Sequence, residues 1–393
     1  MIRVLIQEGQ GTDVFAGVKA EWRELFAKTN CSPFMAWEWM SVWFDSFGAN
    51  KDPIILKAYR GDTLVAILPL LLATQKVLGM TFRRLSFIGD GIGGADHLDI
   101  IAKPADKHAA LSAIFELLQR EFDIQQIQLE SLTDGSITLA FLKEIRSAGN
   151  EKFPGFSEST TAACPQINLS EGWDSVLKRS KRSDNFKRRL KKLQKLHNFE
   201  FRSTTSPSNI NEAFERFLYL HEQRWSSAGG SELTGHPMLI EFQRRIVQSL
   251  SITGLVRFDE LWVDGKCTSS VYGLDNGRTF YYYNSGYDLE YSHLSVGLVL
   301  LGLSVKGAIE RGDTLYDFLR GNEDYKFDWA NRTEHLVTVS LHERSLPGWG
   351  YEVARQGVAG IQTAAKAILP DSLVEILGNW RRAAKRNHQM SAR

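Results

Sequence analysis

Tyr281-Tyr-Tyr-Asn-Ser-Gly-Tyr-Asp-Leu-Glu-Tyr-Ser-His-Leu-Ser-Val-Gly297 decides how this chain reads, together with the apolar Leu298-Val299-Leu300-Leu301 behind it. Its aromatic start suits a strand, its polar middle a loop, and the apolar continuation to residue 311 a helix. The first turn of that helix, with Ser295, Val296 and Gly297, carries unpaired N–H groups and the positive end of the dipole, an arrangement that holds phosphate. Ser295 acting only as the cap of a structural helix is the plainer reading of these residues taken alone. Upstream, segments 255–263, 268–274 and 279–285 form a meander, turned by Asp264-Gly265 and Asn276-Gly277, dipeptides that tolerate the positive φ of tight hairpins. Downstream, 314–319 reads as a strand. A strand–helix–strand unit beside a meander gives an α/β fold with mixed sheets and helices on their faces.

The first half repeats this order. Helices fit 14–28 and the aromatic run with Trp37, Trp39, Met40, Trp43, Phe44 and Phe47. A hairpin turned at Gly61-Asp62 joins 53–59 to 64–71, and strands at 84–88 and 98–102, a helix at 105–122 and a strand at 124–129 follow. In the second half, helices fit 211–225 and 238–250, and 335–342 alternates as a last strand. At 393 residues the chain exceeds one ordinary core. Two domains are expected, 1–150 and 166–345, joined by an irregular linker over 151–165 and followed by a helical tail over 346–393.

Composition is that of a globular protein, 43% hydrophobic and 24% charged, with no disordered tract. No apolar run reaches the ~20 residues that cross a bilayer, and the N-terminus lacks the apolar core of a signal peptide. Three scattered cysteines give neither a disulfide framework nor metal spacing, which favours a reducing compartment and a cytoplasmic placement. Net charge is +1 but uneven: residues 178–195 hold ten lysines and arginines against Asp184, leaving 37 bases and 45 acids elsewhere. Phe186, Leu190 and Leu193 give that basic helix one buried stripe. Its other face is first of all a solvated one, and otherwise suits an anionic substrate, a nucleic acid or an acidic membrane surface.

Several chemistries find no support. His221-Glu222 lacks the second histidine of a zinc protease, no His/Cys cluster appears, and no metal is expected. There is no G-x-S-x-G elbow. Gly89-x-Gly91-x-x-Gly94 fits the dinucleotide pattern, but Ala95-Asp96-His97-Leu98-Asp99-Ile100 after it reads as a strand where that site needs a helix.

Tyr287-Asp288, Leu294-Ser295-Val296-Gly297, Asp317-Phe318-Leu319-Arg320-Gly321 and Tyr325-Lys326-Phe327-Asp328-Trp329 together resemble the signature of the GNAT acetyltransferase branch named for CelD and BcsL, associated with cellulose and exopolysaccharide clusters. Ser32-Pro33-Phe34 with Trp37 and Trp43, Gly89-Asp90-Gly91 with Asp96-His97-Leu98-Asp99, and Leu220-His221 with Arg224-Trp225 extend the resemblance over about residues 20–342. The branch is related to the Fem aminoacyltransferases, which carry two GNAT-like halves. Two departures stand out: Val296 replaces the family's usual proline, and the ordinary Gln/Arg-x-x-Gly-x-Gly/Ala loop is absent.

The resemblance implies two tandem GNAT-like domains, the first degenerate and the second binding acetyl-CoA or another acyl-CoA as co-substrate between two splayed strands. It implies acyl transfer to an amine or hydroxyl of a sugar or cell-envelope precursor, as in exopolysaccharide or cellulose biosynthesis. Asn284, Ser285, Leu294, Ser295, Val296 and Gly297 are the cofactor-binding candidates. Asp317 or Glu323 is the candidate base and Tyr325 the candidate acid for the leaving thiolate. His221, Trp225 and Lys326 are candidate substrate contacts, His221 reading first as a structural or cleft-lining residue. A Fem-like aminoacyltransferase using charged tRNA, or a non-catalytic accessory of polysaccharide synthesis, remains open on the same residues.

Overall fold

Alternating apolar residues and glycine-bearing turns set out the strands of the first half: β1 (Ile2–Ile6), β2 (Asp52–Arg60), β3 (Thr63–Val77), β4 (Met80–Phe87), β5 (Ile101–Ala102), β6 (Gln126–Thr133) and β7 (Gly155–Asn168). Among them lie α1 (Asp13–Ala27), α2 (Trp37–Phe47), α3 (Pro104–Glu121) and α4 (Ile137–Ser147). The second half follows with α5 (Trp173–Arg179), α6 (Ser183–Leu196), β8 (Phe199–Thr204), α7 (Ile210–Ser226), α8 (Pro237–Ile252), β9 (Val256–Val263), β10 (Lys266–Asp275), β11 (Thr279–Tyr287), α9 (Val296–Arg311), β12 (Leu315–Asp317), α10 (Asp324–Trp329) and β13 (Arg332–His342). This is a computed structural model and describes residues 2–77, 80–226, 230–231 and 233–343. The expected tail over 346–393 lies outside the described residues.

Among the described residues the strands form one mixed sheet, in the order β1-β2-β3-β4-β6-β13-β7-β12-β11-β10-β9-β8, with β5 on β3. The order contains an exchange. In the first half the parallel pair β4/β6 is extended by β13, which follows the second half's own strands in sequence; in the second the parallel pair β11/β12 is extended by β7, which comes from the first half. β13 pairs with β7 from Arg332 to His342, gives Leu336–His342 to β6 as well, and β7 gives Gln166–Asn168 to β12. The expected linker is therefore corrected: from residue 155 onward it is a central strand. Its Ser157–Thr161 run is polar and half exposed, so it lacks the apolar alternation that marks a strand in sequence.

β1 and β8, short and about half exposed, carry the same weak signal; α4 is a further helix beyond those expected, and the basic helix is two helices, α5 and α6, broken at Ser180. No helix of the described residues is long and apolar enough to cross a membrane.

The halves share a core. The apolar faces of α1 (Val14, Phe15, Val18, Trp22, Leu25) and of α2 run into the cluster that also holds Phe214, Phe217, Phe242 and Tyr272 from the second half. Trp39 stacks edge-on against Phe242 at 5.7 Å, and Phe47 meets the same ring at 5.0 Å. A second cluster lies on the other face of the second half, beneath α5, α6 and α9. Phe242→Ala should cost about 3–5 kcal/mol, read as a lower urea midpoint. Phe327→Ala, at a ring 37% exposed, is the control and should stay within about 0.5 kcal/mol.

Candidate functional site

β11 and β12 touch only briefly. They pair in parallel at Thr279↔Leu315, Phe280↔Tyr316 and Tyr281↔Asp317, after which β12 ends and β11 runs on to Tyr287. Two local features drive them apart. On β11, Tyr283 is an extra residue between the pairs Gly273↔Tyr282 and Tyr272↔Asn284, a bulge that bends the strand. After β12, Leu319 takes φ 55°, and Asp317 Oδ1 accepts its N–H at 2.7 Å. The chain then follows β7 instead: Phe318 N donates to Pro165 O at 3.0 Å and Gly321 N to Ala163 O at 3.1 Å. The edge of β11 beyond Tyr281 is left without a strand partner among the described residues.

Polar groups gather along that edge. Tyr282 Oη and Arg224 Nη1 both donate to Ser285 Oγ at 2.5 Å. Tyr325, from α10, lies with its ring 6.4 Å from that of Tyr282, and the charge of Arg224 acts on its phenol. Burial, reinforced by Tyr282, pushes the Tyr325 phenol above its ordinary 10, so it holds its proton. Arg224 also lies 5.7 Å over the Tyr287 ring. His221 is buried on α7; its Nδ1–H donates to Ser285 O and its Nε2 accepts from Ser231 Oγ, each at 2.9 Å. Burial lowers its pKa, so it is neutral, and both ring nitrogens are occupied. α7 can approach this closely because Gly286 has no side chain: a Cβ there would lie 2.2 Å from His221 N.

At the far end of the opening, Ser295 precedes α9 in the left-handed region (φ 58°) and makes no side-chain cap. The plain cap reading is thereby corrected: first-turn amides 296–298 are not capped by Ser295. A Cβ on Gly297 would meet only the Tyr287 ring, at 3.5 Å. The basic helix lies alongside. Phe186 of α6 packs against Gly302 of α9, and Arg189 Nη1 donates to His293 O at 3.2 Å, two residues before Ser295.

Of the residues singled out in sequence, Ser285, Tyr325 and His221 come together here, with Trp225 beside His221 at 6.2 Å between rings. Trp225 Nε1 is buried without a hydrogen-bond partner among the described residues. Asn284 turns its Oδ1 onto Ser285 N at 2.9 Å, and Leu294 is buried. Lys326 is buried too, its Nζ donating to Arg320 O at 2.8 Å and pairing with Glu323 at 3.0 Å. Glu323 stays exposed, near enough to Tyr325 to act on its phenol.

Asp317 stands apart. It is fully buried, accepts from Leu319 N and from Gln166 Nε2 (2.6 Å), and lies 3.3 Å from His97 Nε2. Burial pulls the His97 pKa down, but the Asp317 charge outweighs it and holds the imidazolium well above its ordinary 6.5. Arg224, Tyr282, Tyr287 and His97 received no role from sequence. Arg224-Trp225 and Asp96-His97 lay within the recognised motifs, but which half they serve depends on tertiary contacts.

The first half has a corresponding opening, and it is filled. β4 and β6 pair in parallel only at Arg84↔Gln126 and Leu85↔Ile127. Beyond, Leu98 N donates to Ser131 O at 3.0 Å, and Arg320 Nη2 reaches Ser131 Oγ (3.0 Å) and Ala95 O (2.9 Å). Loop 88–100, which carries the glycine pattern, leads into no helix, and Tyr283 Oη donates to its Gly93 O at 2.7 Å. Asp90 shares this space with Glu130; burial, then the Glu130 charge, raises its pKa from 3.8 to about 8. The folded chain thus holds a proton that the unfolded chain loses near pH 4, so this pair erodes stability as pH rises toward 8. Asp90→Asn should flatten the fall in melting temperature between pH 5 and 8.

Residues 180–327 match the family model described as an acetyltransferase (GNAT) domain. No curated protein matches the chain. Among solved structures, FemX is similar at 12% identity with a TM-score of 0.58, over 81% of this chain and 95% of that one. A conserved protein of unknown function from Bacteroides thetaiotaomicron VPI-5482 is similar at 12% identity and TM-score 0.53, covering 87% and 100%. The C-terminal domain of a putative lysylphosphatidylglycerol synthetase from Agrobacterium fabrum gives 8%, 0.51, 87% and 96%. At such identities the likeness is one of fold. The second half therefore carries a GNAT acetyltransferase domain on a mixed α/β fold, and by that domain the chain is an acyltransferase.

Proposed function

We propose that this chain transfers an acetyl or longer acyl group from coenzyme A to an amine or hydroxyl of a sugar or other cell-envelope precursor, in the cytoplasm where such thioesters are available. The observation that carries the reading is the open edge of β11 beyond Tyr281, a strand edge whose backbone can pair with the amide groups of pantetheine. The thioester carbonyl would sit at the bulge around Tyr283, where a backbone N–H of the parted edge meets the negative charge that develops on its oxygen. The diphosphate would lie at amides 296–298, with the cations of α6 beside it. The acceptor attacks the carbonyl carbon, the C–S bond breaks, and Tyr325 Oη gives its proton to the leaving sulfur. Arg224, whose positive charge acts on that phenol, steadies the tyrosinate left behind. Glu323, the exposed carboxylate beside it, takes the acceptor's proton, directly or through water.

The first half serves as a degenerate copy that shapes the acceptor side. Its opening is filled by loop 88–100 and by the Arg320 side chain, which leaves no room there for a diphosphate. The cell-envelope class draws on the resemblance to the CelD and BcsL branch and on the fold shared with a putative lysylphosphatidylglycerol synthetase. Transfer of an aminoacyl group from charged tRNA is the second reading, favoured by the fold shared with FemX and by the basic face of α6.

Thermal shift separates the readings, since a ligand that binds only the folded chain stabilises it in proportion to the logarithm of its concentration. Acetyl-CoA or a longer acyl-CoA should raise the melting temperature, and Tyr325→Phe should keep that shift while lowering kcat about 10²-fold. No shift at millimolar acyl-CoA, with charged tRNA bound in a way that Lys187→Glu, Arg188→Glu and Arg189→Glu together abolish, would replace this reading with the second.

A further inference from the structure

Three segments distant in sequence bring donor atoms together at the point where β11 and β12 part. Loop 88–100 brings His97, β7 brings Cys164 and β12 brings Asp317, and their ligand atoms lie within 4.8 Å of one another. Cys164 and Asp317 are fully buried, and the His97 side chain is nine-tenths buried. His97 Nε2 faces Asp317 Oδ2 at 3.3 Å, yet it is a buried nitrogen with no well-aligned hydrogen bond, as is the Oε1 of neighbouring Gln166.

The backbone is held out of its ordinary regions to make this meeting. His97 has φ 52°, Leu319 55° and Ser131 57°, three of the six non-glycine residues with positive φ among those described. Each such residue is strained unless its surroundings compensate. All three belong to this one place: Leu319 N bonds to Asp317, Leu98 N to Ser131 O, and Ser32 Oγ to His97 O at 3.0 Å. An outer layer orients the donors. Gln166 Nε2 bridges Asp317 Oδ2 (2.6 Å) and Glu334 Oε2 (3.0 Å), and Glu334 faces the other imidazole nitrogen of His97 at 3.8 Å. A carboxylate behind a histidine, and an amide or N–H on a carboxylate, are the supports that metal ligands commonly have.

We propose that His97, Cys164 and Asp317 bind a zinc-class divalent cation that fastens loop 88–100 of the first half to the parting strands of the second. One sulfur, one imidazole nitrogen and one carboxylate oxygen select zinc over magnesium or calcium, whose ligands are all oxygen. On binding, the thiol proton of Cys164 and the Nε2 proton of His97 leave to solvent, the ion takes their place, and no bond to carbon changes. The sequence reading expected no metal, because Cys164 lies 67 positions after His97 and 153 before Asp317, which matches no ligand spacing. This proposal stands independently of the acyl-transfer reading.

Cobalt(II) reports on it, since a thiolate on cobalt gives an intense near-ultraviolet charge-transfer band. Tag-free full-length protein, stripped with chelator and then dialysed against Co2+, should retain about one ion per chain and show that band. Cys164→Ser should remove the band and His97→Gln should weaken retention at least tenfold, while Cys267→Ser, at a half-buried cysteine elsewhere, should leave both intact. Added Zn2+ should bleach the band and raise the melting temperature of the parent protein by several degrees, but not that of Cys164→Ser. A parent protein with no band and no zinc-dependent shift would overturn the proposal whatever the variants do, leaving His97 and Asp317 as an ion pair alone. A band that persists in Cys164→Ser would overturn it equally.

Discussion

One backbone event underlies the rest of this molecule: β12 stops at Asp317 while β11 continues for six residues. A parallel pair that ran its full length would satisfy the β11 edge with another strand and leave nothing for a ligand. The bulge at Tyr283 and the left-handed Leu319 prevent that, one bending each strand, and Asp317 locks the turn by accepting the Leu319 N–H. The polar cluster of Arg224, Tyr282, Ser285 and Tyr325 exists because those strands part. In a closed sheet the same side chains would be buried donors without partners.

The exchange of β7 and β13 makes that opening rigid. Each strand completes the sheet of the half to which it does not belong by chain position, so the halves cannot separate without breaking the longest ladder among the described residues. The aromatic seam of Trp39, Phe47 and Phe242 and the ion pair of Arg320 with Asp96 reinforce it. Arg320 shows how tightly the two halves are coupled. It leaves the second half three residues past the vertex and fills the corresponding opening of the first. One arginine thereby closes one opening while the chain around it leaves the other free.

Much of this was legible in sequence where a feature is local. The meander and its Asp264-Gly265 and Asn276-Gly277 turns, the helix after Gly297 and the aromatic α2 all follow from periodicity and turn chemistry. What escaped was set by distant partners. Residues 155–165 look irregular because their polar side chains face solvent, and only pairing with β13, about 170 residues later, makes them a strand. Asp317 was a reasonable base by its place on the second strand, but its neighbours Gln166 and His97 come from elsewhere in the chain and bury it. Ser295 looked like a cap, yet its left-handed backbone turns the side chain away from that task. Tyr325 stood out in sequence because it sits in a short motif, whereas Arg224, whose charge acts on its phenol, was visible only as part of a helix end.

A crystal structure with acetyl-CoA bound would show whether the β11 edge holds the donor. Pantetheine should pair with the β11 edge between Tyr282 and Tyr287, with the acetyl carbonyl oxygen on a backbone amide of the bulge around Tyr283 and the diphosphate at amides 296–298. Coenzyme A found instead between β4 and β6, or β11 and β12 zipped together beyond Tyr281 and Asp317 in the crystal, would contradict that placement.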